Sequence, residues 1–340
     1  MEELRHWFLR HRRDLPWRGE TTPYAVWVSE VMLQQTRASV VVPYFERWMK
    51  EFPTIQALAE APLEAVIKAW EGLGYYSRAR NLHEGAKYVM GHFGGVLPAG
   101  EALLRQIKGL GPYTIGAIRS FAFNERAAAV DGNVLRVMAR YHDLHEDIGK
   151  STTIARIRQM TYDFLPERDP GVVMEALIEL GATLCGKSPV CMACPLRSTC
   201  KGFASRTSAE LPVKMKKVPT ELLQRAVALL RYESDVLVRK CPKGEIMSDL
   251  HEFPYVEDQG ADIVMMEFEK RFGRFTLLGT FPQVKHNFTR FRATLTPYVL
   301  ACSRKEEISG YFWHPVCDLH QLAFSSGHRR VVDLLREQAW

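Results

Sequence analysis

The sequence predicts a chain of two classes joined end to end: an all-α domain over residues 1–200, a basic linker at 201–224, and a small α+β domain over 225–340. Three observations predict it. At 340 residues the chain exceeds the size at which one hydrophobic core usually stops growing. Up to about residue 200 nearly every segment carries a helical period, and beyond it short β-rich runs take over. Between them, 201–224 holds five basic residues against two acidic ones, two prolines and no periodic apolar face.

Each element follows from local signals. Thr22-Pro23, Pro43, Thr54, Pro62, Ser77 and Ser151 mark helix starts, since the N–H that proline lacks would have no partner in the first turn. The expected helices are 2–12, 23–38, 43–51, 54–60, 62–71, 77–92, 99–107, 112–123, 132–142, 151–165 and 171–185. In the second half, strands are expected at 225–231, 235–240, 275–281 and 287–301, with helices near 261–272 and 325–338. No solenoid-like repeat is visible.

Composition excludes several classes. With 46% hydrophobic, 25% charged and 11% aromatic residues the chain is neither disordered, collagen-like nor coiled coil. Charged residues interrupt every apolar run before the roughly 18 residues a membrane span needs, so no membrane crossing is expected. The N-terminus lacks an apolar signal core and a cleavage site, which predicts a cytoplasmic protein. A net charge of +6 is compatible with a polyanionic partner without requiring one.

The most specific motif is Cys185-x5-Cys191-x2-Cys194-x5-Cys200. Four soft thiolates in one short loop can complete a tetrahedral or cubane site, and the clustering suits a metal centre in a reducing compartment better than disulfides. Spacing alone leaves zinc and iron–sulfur both open. A second signal is the turn Lys108-Gly109-Leu110-Gly111-Pro112-Tyr113, where one helix ends and another opens. Such a turn can grip a phosphate through its backbone N–H groups, and it can equally be an ordinary helix connection. Gly72-Leu73-Gly74 repeats the pattern and is followed by Tyr75 and Tyr76, which can stack on bases or pack in a core.

Two acids sit where acids are uncommon. Glu30 lies inside the apolar stretch Val26-Trp27-Val28-Ser29-Glu30-Val31-Met32-Leu33, either on a thin solvated stripe or buried with the raised pKa of a general acid. Asp131 precedes Gly132-Asn133 and reads most simply as a helix N-cap.

In order and spacing, Lys108-Gly109-Leu110-Gly111, Val130-Asp131-Gly132-Asn133-Val134 and the four-cysteine loop resemble the helix-hairpin-helix DNA glycosylase superfamily with its C-terminal iron–sulfur loop. Ser29-Glu30-Val31-Met32-Leu33-Gln34-Gln35-Thr36 and Gly72-Leu73-Gly74-Tyr75-Tyr76 narrow the resemblance to adenine DNA glycosylases of the MutY type, over about residues 14–205. The resemblance implies an all-α helix-hairpin-helix glycosylase domain followed by a Nudix-like domain. It implies an enzyme that removes adenine opposite 8-oxoguanine or guanine from double-stranded DNA after flipping the base, acting as a monomer and, in a bacterium, at the nucleoid.

By the same resemblance Glu30 would be the general acid, and Asp131 would stabilise an oxocarbenium-like sugar. Tyr113 stands where bifunctional relatives carry a Schiff-base lysine, so strand cleavage is expected to be absent or weak. Trp17, Arg18 and Glu175 match the adenine pocket, and Gln35 and Tyr75 match residues that wedge the base stack. Lys108, Gly109 and Gly111 would hold DNA, and Cys185, Cys191, Cys194 and Cys200 one [4Fe-4S] cluster.

The chain departs from the family pattern twice. The first cysteine gap, Gly186 to Val190, is five residues where six are usual. The Phe-Ser-His element of lesion reading becomes Phe288-Thr289-Arg290, without a Nudix catalytic box, so the second domain is expected to bind rather than hydrolyse. An extended reading of 288–295 places Thr289 on one strand face and Arg290 on the other. A glycosylase-lyase for oxidised pyrimidines and a silent DNA-structure binder are the competing classes.

Overall fold

The computed structural model describes residues 1–19, 22–215 and 219–337. By packing, the chain separates into two units: Met1–Glu60 with Asn81–Lys216, and Ala61–Arg80 with Lys217–Trp340. The segment 61–80, early in the sequence, therefore packs with the C-terminal residues, which the helical periodicity of its sequence gave no reason to expect.

The first unit is helical: α1 (Glu2–His11), α2 (Pro23–Leu33), α3 (Ala38–Glu51), α4 (Ile55–Glu60), the body of α6 (Ser77–Phe93), α7 (Glu101–Leu104), α8 (Pro112–Ala117), α9 (Gly132–Tyr141), α10 (Ser151–Phe164), α11 (Pro170–Thr183) and α12 (Lys201–Ala204). The second unit includes α5 (Leu63–Ala69). Leu4, Phe8, Val134, Met138, Ile157, Met174 and Leu177 pack into one core that aligns α1, α9, α10 and α11. Among the described residues no helix is long and apolar enough to cross a membrane.

Four helix boundaries differ from the sequence reading. The chain leaves α2 at Leu33 because Gln35 adopts φ 58°, so Gln34 to Thr36 form a turn instead of the helix expected to 38. The helix expected to start at Pro43 begins at Ala38 and contains that proline. The segment expected at 99–107 is helical only over α7, and the one expected at 112–123 changes into a π turn at Ile118–Ala122.

The second unit contains one mixed sheet built on a long parallel pair, β1 (Glu221–Tyr232) and β7 (Phe291–Cys302), running in register from Glu221 opposite Phe291 to Arg231 opposite Ala301. β2 (Asp235–Lys240) and β3 (His251–Glu252) extend it beyond β1, β5 (Phe275–Thr280) beyond β7. β4 (Tyr255–Glu257) pairs with β1, β6 (Val284–Phe288) with β7, and β8 (Phe312–Pro315) with β2. Alternation along β1 sends Ala226, Ala228 and Leu230 toward α13 (Ala261–Phe272), and Val227 and Leu229 toward α14 (Ser326–Glu337). One helix thus covers each face, as the predicted α+β class requires.

β3, β4 and β8 escape sequence reading because two to four residues carry no measurable alternation. The strand expected over 287–301 is two strands, β6 and β7, joined by a tight turn at Thr289-Arg290 with Phe288 opposite Phe291. The extended placement of Thr289 is therefore corrected: it takes φ 48° in a hairpin turn, outside either strand. The stretch after the cysteine loop starts with helix α12 and buries Leu211, and β1 begins at Glu221. Residues 216–218 of the expected linker and residue 338 of the expected last helix lie outside the described residues.

Candidate active site and nucleic-acid interface

The helical unit holds a cavity of about 1090 Å³ lined by Trp17, Arg18, Glu30, Gln35, Gly109, Gly111, Tyr113, Asp131 and Glu175. Five elements bring these residues to one space: the Pro16–Arg18 turn, α2 and the turn after it, the turn leading into α8, the cap of α9, and α11. Glu30 projects from the buried middle of α2 and is 6% exposed. Tyr113, in the first turn of α8, donates its hydroxyl to Glu30 Oε2 at 2.5 Å. Burial drives the Glu30 carboxyl up to about 7, with Asp131 and Glu175 adding repulsion and the Tyr113 bond and Arg18 opposing it. The thin-stripe alternative for Glu30 is thus excluded.

Asp131 caps α9. Its Oδ1 accepts the backbone N–H groups of Asn133 at 2.9 Å and Val134 at 2.8 Å, and its Oδ2 accepts the Asn133 side-chain amide at 2.7 Å. Burial raises the carboxyl, while those three donors and Arg136 pull it back. The N-cap reading holds, and the same capped residue lines the cavity.

Opposite them stands a charge cluster that sequence reading half found. Arg18 Nε donates to Glu175 Oε2 at 3.0 Å, and its Nη2 to Glu179 Oε2 at 2.9 Å. Glu179 is fully buried, and its Oε1 accepts both Nε of Arg13 at 2.7 Å and the Arg13 backbone N–H at 3.2 Å. Burial alone would raise the Glu179 carboxyl, but the two arginines hold it below its ordinary value. Glu179 and Arg13 were missed, although a second acid four residues after Glu175 on an apolar helix was the available signal. Trp17 is buried edge-on against Phe45, with ring centroids 5.5 Å apart.

The Lys108–Tyr113 turn needs only one of its glycines for conformation. Gly109 sits at φ 87°, where a Cβ would lie 2.6 Å from Asn81 Cβ. Gly111 has an ordinary φ and precedes α8 as its N-cap. Lys108 is exposed and paired with Glu84 at 2.5 Å.

The four cysteines of the loop are free and partly buried. Burial, together with the charges of Cys185, Cys200 and Cys191, raises the Cys194 thiol to about 11. Arg140, itself buried, donates to Cys185 Sγ at 3.3 Å and to the carbonyl oxygens of Cys185, Gly186 and Leu211. Arg136 donates to the Cys185 carbonyl at 2.7 Å and to Asn133 Oδ1 at 2.8 Å, so the loop and the Asp131 cap share a hydrogen-bond path. Four thiols in one loop supply the donor set of a tetrahedral ion or of an iron–sulfur cluster, and Arg140 offsets the negative charge of either. In the second unit Cys241 lies beside Glu245 and Glu252, where Arg239 supplies the balancing charge.

In the second unit, Gly72 and Gly74 take positive φ and Tyr75 follows at φ 48°, 43% exposed. Tyr76, by contrast, is buried. Phe288 is half-buried at the end of β6, Thr289 is exposed in the turn, and Arg290 is exposed and paired with Glu221 at 3.1 Å.

Residues 28–161 match the family described as HhH-GPD superfamily base excision DNA repair protein, and residues 226–334 match a NUDIX domain. The solved structure of a thermostable thymine-DNA glycosylase has the fold of the helical part, with a TM-score of 0.54 at 23% identity over 60% of this chain and 94% of that one. The class is therefore a base-excision repair protein of the helix-hairpin-helix superfamily with an appended Nudix-type domain. The human adenine DNA glycosylase is 30% identical, the match covering 98% of this chain and 73% of that relative. The chain belongs to the adenine DNA glycosylase family. The mouse member is 42% identical over 210 residues, 59% of this chain, and the chain spans about two fifths, 41%, of that relative's length.

Proposed function

We propose that this chain hydrolyses the N-glycosidic bond of adenine mispaired with 8-oxoguanine, or with guanine, in double-stranded DNA, once the adenine has left the base stack. The observation that carries the reading is Glu30. A buried carboxyl near 7 keeps its proton in about half the molecules at neutral pH and in more below it, on a cavity shared with Asp131. As the glycosidic bond breaks, its electron pair goes to the base and the Glu30 proton follows. Asp131, whose capping donors oppose the upward push of burial on its carboxyl, stabilises the cationic sugar. Water then bonds to the sugar carbon and yields a proton to the Glu30 carboxylate, which restores the acid.

Tyr113 holds a hydroxyl, not an amine, against Glu30, so no imine forms with the sugar and the enzyme is monofunctional. Trp17, Arg18 and Glu175 receive the adenine, with Arg18 kept in place by Glu179. Gln35 and Tyr75 fill the stack left by the flipped base, and Lys108, Gly109 and Gly111 take a backbone phosphate. The residues 1–200 excise, and 225–340 read the opposite base through Phe288, Thr289 and Arg290.

Cys185, Cys191, Cys194 and Cys200 would hold one [4Fe-4S] cluster, supported by four free thiols in one loop and by the cationic Arg140 at Cys185. Bound there, the cluster would fix the loop that Arg136 and Arg140 grip.

Incubation with duplexes carrying adenine opposite 8-oxoguanine, adenine opposite guanine, and thymine glycol tests the reading. Free adenine from the first two, with strand breaks only after alkali, is expected. Strand nicking of the thymine glycol duplex without alkali would assign the chain to the glycosylase-lyase class. Binding of all three duplexes with no base released would make it a silent binder.

A further inference from the structure

The hairpin carrying Tyr75 is held by residues of the C-terminal chain. Inside the hairpin, Arg78 Nη2 donates to the carbonyls of Leu73 at 3.1 Å and Gly74 at 3.0 Å, and its guanidinium lies over the rings of Trp70 and Tyr75. Trp70 Nε1 donates to the Gly74 carbonyl at 3.1 Å. The tip is thus rigid on its own base, and that base is docked.

The dock is the backbone of Phe324, just before α14. Its N–H donates to Glu71 Oε1 at 3.0 Å, and its carbonyl accepts the Tyr76 hydroxyl at 3.5 Å. The two residues flanking the hairpin tip therefore grip one residue of the second half of the chain from both sides. Arg329, in the first turn of α14, donates Nε to the same Glu71 oxygen at 2.7 Å and Nη1 to the Leu319 carbonyl at 3.4 Å, and also bonds the Leu322 carbonyl. Lys68 closes the network on Glu71 Oε2 and on the Leu322 carbonyl. The Glu71 and Arg329 side chains are only 15% and 21% exposed, so this pair is not a loose surface contact.

The same turn of α14 also seats β6. At Gly327 a Cβ would stand 2.6 Å from the His286 ring, so only glycine allows this approach. Arg330 Nη2 donates to the Lys285 carbonyl at 2.5 Å. His286 is buried and stacks on Phe288, ring centroids 5.1 Å apart, and Phe288 opens the Thr289-Arg290 turn.

We propose that Glu71 and Arg329 are positioning residues that lock the Tyr75 hairpin to the first turn of α14, which also seats the Phe288–Arg290 turn. The two elements then meet the lesion pair as one body, and discrimination between 8-oxoguanine and guanine opposite adenine depends on that lock. The inference rests on the lesion-reading roles proposed above for Tyr75 and the Thr289 turn.

The test uses the full chain. Duplex affinity and single-turnover adenine release are measured on adenine opposite 8-oxoguanine and opposite guanine, for wild type, Glu71→Gln, Arg329→Gln, the double variant, and each single variant combined with Tyr75→Ala. The two singles are expected to narrow the binding preference for the 8-oxoguanine duplex by roughly threefold to tenfold, and the double no further, because both act through one contact. In the Tyr75→Ala background neither should add anything, a result a merely structural role would not produce. Arg329→Lys keeps the charge but cannot serve Glu71 and two carbonyls at once, and it replaces Arg329→Gln should that variant fold poorly. A wild-type preference in both singles, or a further loss added to Tyr75→Ala, would overturn the lock. Absence of adenine release from the wild type would instead strike the proposed function, with the binding preference still judging the lock.

Discussion

Tyr113 donates its hydroxyl to Glu30 at 2.5 Å, joining the first turn of α8 to the buried middle of α2. The bond fixes one oxygen of a carboxyl that lines the cavity, in surroundings that disfavour its charge. Tyr113→Phe removes the one polar group that, among the described residues, bonds the Glu30 side chain, while keeping the ring. The freed carboxyl should titrate higher still, since the Tyr113 bond is the main influence opposing burial. Adenine release at pH 7 should survive with its pH profile shifted to higher pH. An unshifted profile would remove Tyr113 from the setting of the Glu30 proton.

Glu30→Gln and Asp131→Asn should each abolish most base release while leaving duplex binding near wild type. A near-isosteric amide removes charge or proton without changing shape, and positioned general acids and charge stabilisers contribute roughly 10²- to 10⁴-fold in rate. Single-turnover rates set against gel-shift affinities measure both. Turnover close to wild type in either variant would take that residue out of the mechanism.

The pH dependence has a definite sign. Glu30 acts protonated with a folded pKa of about 7, so base release should be flat below it and fall as pH rises through it. Stability carries the same sign. The carboxyl binds its proton more tightly folded than unfolded, so its contribution is full below about 4.5 and is lost as pH rises through about 7. Glu30→Gln has no charge to bury and should be more stable than wild type above pH 7, by up to roughly 3 kcal/mol at pH 8. Equal melting temperatures of the two proteins from pH 5 to pH 9 would contradict a buried, raised carboxyl.

Much of this site was legible because its chemistry is local in sequence. Glu30 stands out as an acid in an apolar helix, Asp131 as a cap, and the cysteines as a cluster, and each signal spans fewer than about twenty residues. What stayed hidden depends on long-range contacts. Glu179 matters through Arg13 and Arg18, more than 160 residues away, and a helix-face acid gives no sign of its partners. Segment 61–80 reads as one more stretch of helix and turn, yet it packs with the C-terminal residues. Thr289 was read as strand because β-branched residues favour strands, whereas the β6–β7 register requires two turn residues there.

The cysteine loop gives a prediction with a visible readout. Protein prepared anaerobically with sufficient iron should be brown, and Cys194→Ser should lose both colour and thermal stability. Cys241→Ser, Cys302→Ser and Cys317→Ser should keep the colour. A colourless wild type with one equivalent of zinc would replace the cluster with a single ion.

The Thr289-Arg290 turn carries the prediction most specific to this chain. Thr289 is exposed at φ 48°, so its hydroxyl projects from the hairpin tip instead of lying along a strand face. Valine is β-branched as threonine is, so backbone strain at this position is nearly the same in Thr289→Val and the substitution isolates the hydroxyl. A hydrogen bond from that hydroxyl to 8-oxoguanine would contribute roughly 0.5–1.5 kcal/mol, so the preference over guanine should narrow several-fold. Arg290 is over half exposed and its partner Glu221 half exposed, at 3.1 Å, and an exposed pair of this kind binds too weakly to keep the guanidinium from a phosphate. Arg290→Ala should therefore weaken binding to both duplexes alike and reduce the dependence of log affinity on log salt by about one unit. The two substitutions separate reading from holding: one changes the ratio of affinities, the other their common level. A changed ratio in Arg290→Ala with no change in Thr289→Val would move lesion reading from the hydroxyl to the guanidinium.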